Sequence, residues 1–147
     1  MFSIHTTLLK LSSGFSLIEL MITIVVLSIL VALAYPSFQS QMVKNRRTDG
    51  QRILLEIMNE QQKFYSRNST YTADLVSGGT TGLSYPDPNG DGTVPSEKEF
   101  YLVTAQACPT QTINQCVELT AVPQGGQVAD GDLIYNSRNE KNPPSHW

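Results

Sequence analysis

The chain has 147 residues, a formal net charge of −3, two cysteines and two histidines. That length holds one domain of ordinary size, and so mild a charge selects neither a polyanion nor a polycation as its main partner. His5 and His146 lie at opposite ends with no cysteine or carboxylate cluster between them, so neither a zinc site nor a catalytic triad is expected, and no enzyme.

The first informative stretch is "SGFSLIELMITIVVLSILVALAYPSF", Ser13 to Phe38. As a helix, Phe15 to Tyr35 would span about 31 Å at ~1.5 Å per residue, close to the roughly 30 Å of a hydrocarbon core. Its apolar residues occupy every face, which excludes a surface helix of a soluble domain. Three readings are open. One is a cleavable secretory signal, with Lys10 in its n-region and Ala32-Leu33-Ala34 as an A-x-A site. The second is a plain membrane anchor. The third is a segment cut just before the apolar helix, which the mature protein keeps.

Glu19 separates these readings. A charge at mid-membrane costs roughly 2.5–3.5 kcal/mol on insertion scales, less near a helix end, and neither a signal peptide nor an anchor gains from it. Cleavage after Gly14 would instead create an ammonium on Phe15, four residues before the carboxylate. A neighbouring subunit's ammonium could then pair with Glu19 in a dry helix bundle. Such a pair rewards one axial offset and so sets register more than it adds stability.

Gly14-Phe15-Ser16-Leu17-Ile18-Glu19 resembles the class III signal of type IV prepilins and pseudopilins. The resemblance implies cleavage between Gly14 and Phe15, N-methylation of Phe15 by the prepilin peptidase/N-methyltransferase, and an assembly role for Glu19. Pro36 stands where the family commonly places a helix-kinking proline. Implied partners are other pilins in a filament, the inner-membrane pilus assembly machinery, and the bilayer before assembly. Lys44, Arg46 and Arg47 follow the apolar segment while only Lys10 precedes it, so a positive-inside count alone would leave the C-terminal part in the cytoplasm. The leader and the two nearby cysteines outweigh that count. The expected topology is a single pass of the bacterial inner membrane, N-terminus cytoplasmic and head periplasmic, then the extracellular pilus.

Beyond Pro36 the pattern turns amphipathic. Phe38, Met42, Ile53, Ile57 and Phe64 keep close to one face of a 3.6-residue period, with Leu54 and Met58 beside it. Lys44, Arg46, Arg52, Glu56 and Glu60 fall largely on the solvent side. The spacing predicts a helix from Phe15 to about Ser66, bent at Pro36 and softened at Gly50. Arg47 to Leu75, "RTDGQRILLEIMNEQQKFYSRNSTYTADL", also resembles minor pilins of the PilE type. Asn68-Ser69-Thr70 fits a glycosylation sequon and is read as an ordinary loop.

Val76 to Ser96 is a loop dense in Gly, Pro, Asp and Thr. Glu99–Ala107, Cys116–Val122 and Asp132–Ser137 then read as strands, with Tyr101, Val103 and Ala105 alternating toward the helix. The expected fold is α+β: a type IV pilin fold with a long N-terminal helix, its apolar half protruding and its amphipathic half packed against a small antiparallel β-meander. The expected divisions are a leader over 1–14, the apolar helix over 15–36, and a head over 37–147. Within the head, the helix continues to about 66, a loop covers 67–98, the meander 99–137 and a C-terminal tail 138–147.

Three motifs in the head invite specific readings. Cys108 and Cys116 flank a short loop between two predicted strands and could pair across a hairpin, the alternative being two free thiols. Closing so short a loop is worth roughly 2.5 kcal/mol on a chain-entropy argument. Pilins of this group usually carry another pair, with one cysteine in a penultimate "CW"; here the chain ends His146-Trp147, which leaves the tail unstapled. Asp87, Asn89, Asp91 and Gly92 match the opening of an EF-hand loop and make calcium a possible cofactor. Lys98 replaces the twelfth-position glutamate, so an ordinary turn ranks ahead. Lys44, Asn45, Arg46, Arg47 and Arg52 form a basic stretch at the membrane exit, read as contacting lipid head groups or acidic surfaces of neighbouring subunits. Nucleic acid ranks below both.

The reading that follows is a minor pilin, assembled into a type IV pilus or priming it, in the service of pilus biogenesis, twitching motility or adhesion. A major pilin and a type II secretion pseudopilin are alternatives of the same structural class. A DNA-binding minor pilin for DNA uptake stands further down.

Overall fold

The structure is a computed structural model that describes residues 14–147. The expected leader therefore lies, Gly14 apart, outside the described residues. Two compact units divide the chain after Gln39.

Helix α1 covers Leu17–Asn68, 52 residues. In the first unit every side chain described, from Gly14 to Gln39, is exposed. Thr23 and Ser28 turn their hydroxyls back onto the helix, Thr23 Oγ1 donating to the carbonyls of Glu19 (2.9 Å) and Leu20 (2.8 Å), Ser28 Oγ to Val25 (2.7 Å). These polar groups thus need no water, as hydrocarbon requires. α1 continues through position 36, whose side chain is not among those described.

In the second unit α1 becomes one wall of a core. Ile53, Leu54, Ile57 and Met58 pack with Tyr101, Val103, Val117, Leu119, Ala121 and Leu133. Leu54 and Met58, expected beside the apolar stripe, are core members, whereas Phe38 is 64 % exposed in the first unit. The helix ends two residues beyond the expected Ser66. Asn68 Nδ2 donates to the Phe64 carbonyl, and Ser69 takes a left-handed φ of 56°, a helix-ending conformation. Gln61, fully buried, then clamps the departing chain through both hydrogen bonds of its amide to the Thr72 backbone (2.6 and 3.1 Å).

Five antiparallel strands follow in sequential order: β1 (Val94–Pro95), β2 (Tyr101–Ala107), β3 (Val117–Pro123), β4 (Leu133–Asn136) and β5 (Lys141–Asn142). Register runs Tyr101↔Pro123 to Ala107↔Val117 between β2 and β3, and Glu118↔Asn136 to Ala121↔Leu133 between β3 and β4. The three predicted strands are β2, β3 and β4. Tyr101 and Val103 are fully buried as expected, and Ala105 is only partly so. The expected loop 67–98 and tail 138–147 are corrected: each contributes an edge strand of two residues, too short to show a period of two. A 3-10 helix, Gly125–Asp130, occupies the turn between β3 and β4.

Gly50 has a packing role in place of the expected softening. A Cβ there would stand 2.8 and 2.9 Å from ring carbons of Tyr101 and 3.0 Å from Leu133 Cδ1, so the sheet can meet the helix only over a glycine. Alanine is the better helix former by up to about 1 kcal/mol, but overpacking a fixed core typically costs about 1–3 kcal/mol. Tyr101 and Leu133 are fully buried and have nowhere to move. Gly50→Ala is expected to lower stability by about 1–2 kcal/mol, read as a fall in the thermal midpoint by circular dichroism. A rise would show that propensity governs the site.

Candidate functional site

The first element of the site is the start of α1. Gly14, Phe15 and Ser16 precede the helix in non-helical conformation, and Phe15 is 78 % exposed. Among the described residues, nothing stands within 4 Å of a Cβ built on Gly14. Glu19 lies in the first helical turn, where the helix dipole favours a carboxylate. From Leu17 to Leu33 the large apolar side chains are 50–77 % exposed, and the segment has a mean hydropathy of 2.8. An apolar cylinder of this length is unstable in water, so its surface is made for lipid or for other helices.

The second element is an ionic lock inside the head. Arg47 Nε donates to Asp130 Oδ2 at 2.8 Å, and its Nη2 pairs with Oδ1. Tyr101 Oη (3.0 Å) and Gln127 Nε2 (3.1 Å) donate to the same carboxylate. Gln127 Nε2 also reaches Tyr101 Oη and the Val43 carbonyl. The Arg47 guanidinium, with these donors, holds the Asp130 carboxyl below its usual range, and Asp130 in turn raises Arg47. Burial, aided by Asp130, pushes the Tyr101 phenol up to about 12.

The basic stretch is thus partly corrected. Arg47 is bound to Asp130 and Arg52 to Glu97, with Asp49 3.8 Å away, all within this chain. Arg46 lies over the Phe100 ring at 4.8 Å. Asp130 and Gln127 were invisible to sequence reasoning, since a Gly-rich turn carries no period and the partner is 83 residues away.

Cys108 and Cys116 are disulfide-bonded, Cα–Cα 5.4 Å, and buried at the base of the β2–β3 loop. The tail is held without a further cysteine. β5 pairs with β4, Gln51 donates its side-chain amide to the His146 carbonyl, and the Trp147 ring packs 5.5 Å from that of Tyr135. Lys141 Nζ sits over the Trp147 ring at 4.7 Å, a cation–π contact.

The loop of Asp87, Asn89 and Asp91 turns its carboxylates inward. Asp87 accepts the backbone N–H groups of Gly90 (2.7 Å), Asp91 (3.3 Å) and Gly92 (2.8 Å), and Asp91 accepts Thr93 N–H and Oγ1–H. No group of three or more His, Cys, Asp or Glu side chains comes together among the described residues. These hydrogen bonds make the ordinary turn that the Asp, Asn and Gly spacing also allows. Adding calcium is expected to leave the thermal midpoint unchanged, and a rise of several degrees would show that the loop binds the ion.

A long N-terminal helix, apolar and exposed over its first part and lined with core residues of a small antiparallel sheet over its second, is the type IV pilin fold. Two family profiles match: the prokaryotic N-terminal methylation motif over residues 9–35, and "Type IV minor pilin ComP, DNA uptake sequence receptor" over residues 36–133. The chain belongs to this ComP family of type IV minor pilins. A solved structure, "High-Resolution Structure of a Type IV Pilin from Shewanella oneidensis", is similar at 20% identity and a TM-score of 0.49, over 71% of this chain and 97% of that one. A comparison with curated proteins finds no match.

Proposed function

We propose that this minor pilin is processed between Gly14 and Phe15 by a prepilin peptidase/N-methyltransferase, crosses the inner membrane once, and then joins or primes a type IV pilus. The carrying observation is the wholly exposed apolar segment of α1. Such a helix loses little on leaving lipid for a helix bundle, since both are dry. Glu19 supplies the register by pairing with a neighbour's Phe15 ammonium. The head stands in the periplasm, an oxidising compartment that suits the Cys108–Cys116 bond. Quantifying the chain in sheared filaments tests this: presence in pili supports it, and confinement to the membrane fraction under piliating conditions sinks it. Protease protection of the head in intact spheroplasts would overturn the topology.

The description of the matched family favours a second reading, reception of DNA. In this chain such a role would draw on Lys44, Arg46, Lys98, Arg138 and Lys141, because Arg47 and Arg52 are already ion-paired. A gel shift with duplex DNA over a salt series decides it, since phosphate contacts weaken steeply with salt. No shift at low salt removes this reading.

A further inference from the structure

We propose that Asn89 is a latent site of spontaneous deamidation, and that the Asp87 carboxylate holds the reaction back by binding the backbone amide that would carry it out.

Asn89 is the one asparagine in the chain that a glycine follows. Glycine has no side chain to shield its nitrogen and leaves the backbone free to turn, and the reaction needs both. The Gly90 nitrogen, stripped of its proton, attacks Cγ of Asn89. A new C–N bond closes a succinimide ring, the bond from Cγ to the side-chain nitrogen breaks, and that nitrogen leaves as ammonia. Water then opens the ring at either carbonyl, giving aspartate or isoaspartate. The net change is water taken up and ammonia released, with no oxidation. Asn89 and Gly90 are exposed, and a Cβ on Gly90 would meet nothing within 4 Å. Among the described residues no hydrogen bond holds the Asn89 side chain.

The attacking nitrogen, by contrast, is held. Gly90 N–H donates to Asp87 Oδ1 at 2.7 Å, and Gly92 N–H donates to Oδ2 of the same carboxylate at 2.8 Å. A negative charge so close opposes loss of the amide proton, because the anion formed would face it. Ring closure must also swing the Gly90 nitrogen toward Cγ of Asn89 and so break its bond to Asp87. Gly92 is the corresponding nucleophile for isomerisation of Asp91. The two oxygens of Asp87 thus cover both nitrogens at which this loop can cyclise. Asp91 has a further restraint, since its Oδ1 accepts Thr93 N–H (2.9 Å) and Oγ1–H (2.6 Å). Asn89 lacks one and depends on Asp87.

The test incubates the full chain in detergent micelles at mildly alkaline pH. Mass spectrometry of the Asn89 peptide scores the gain of amide-to-acid conversion and the isoaspartate formed. Folded wild type should convert more slowly than the same chain unfolded in urea. Losing a hydrogen bond to a charged group is worth about tenfold or more, so Asp87→Ala should convert Asn89 at least about tenfold faster. Asp87→Asn keeps one acceptor oxygen for two glycine amides and should fall between. Isomerisation of Asp91 should rise less than conversion of Asn89, because Thr93 still holds that carboxylate. Circular dichroism checks that each variant is folded, and Asp87→Asn carries the decision if Asp87→Ala is not. An Asn89 rate unchanged or lowered in the folded variants overturns the proposal. So does a folded wild type that converts as fast as the unfolded chain, or a rise equal at Asn89 and Asp91, which would mark mere loosening of the loop.

Discussion

Arg47→Ala is expected to destabilise the head by about 3 kcal/mol, a large share of the roughly 5–15 kcal/mol that holds a domain folded. The Asp130 side chain is 4 % exposed and Arg47 16 %. Removing the guanidinium strands a buried carboxylate whose remaining donors, Tyr101 Oη and Gln127 Nε2, are neutral. The loss therefore arises mainly from the acid left behind. Arg47→Met/Asp130→Asn should be milder than the single alanine, because it removes both charges together. A thermal or urea midpoint for the double variant below that of Arg47→Ala would refute this account.

The same lock fixes two pH limits. Asp130 has its carboxyl lowered by Arg47, so near pH 4 the unfolded state binds more protons than the native one. Stability from this group is present above the unfolded value of about 3.9 and lost as pH falls through the lowered native value. Tyr101 lies on the opposite limb. Its phenol is raised to about 12, so its contribution is whole below about pH 10 and lost as pH climbs toward that raised value. In Arg47→Ala the acid limb should begin at higher pH, since the cause of the depression is gone.

What the sequence disclosed follows from the range of each interaction. Gly14, Phe15 and Glu19 could be read because a processing signal is local. Leu54, Ile57 and Met58 could be placed near one face because helical periodicity is also local. β2, β3 and β4 carry seven, seven and four residues, enough for alternation to register; β1 and β5 carry two each and were hidden. The Cys108–Cys116 pair was legible because few residues lie between its members. Arg47 resembled its neighbours in a basic run until Asp130 arrived from the 3-10 turn. Gly50 looked like a weak point in a helix, yet the Tyr101 ring that requires it enters from β2. Asp87 and Asp91 have calcium-loop spacing, and their carboxylates accept amides of their own loop, contacts that the spacing alone does not specify.

Glu19→Ala is expected to leave processing and membrane insertion intact while cutting incorporation into filaments at least tenfold, about 1.4 kcal/mol or more. Processing should survive because the proposed scissile bond, Gly14–Phe15, precedes the helix while Glu19 lies within it. Two effects then act in the same direction. In the bilayer the carboxylate costs free energy, up to roughly 2.5–3.5 kcal/mol at mid-membrane and less near the end, so alanine makes the unassembled state more comfortable. In the filament core alanine removes the only ionic contact the apolar segment can offer a neighbour's ammonium, and with it the preference for one axial offset. Glu19→Gln separates the contributions: it keeps a hydrogen-bond acceptor without the charge and should assemble poorly if the ion pair sets register. The readout is the ratio of sheared-pilus to membrane-bound subunit, with the mature N-terminus verified by mass spectrometry. Normal incorporation of the alanine variant would detach Glu19 from assembly and leave the exposed apolar face of α1 to choose its own register.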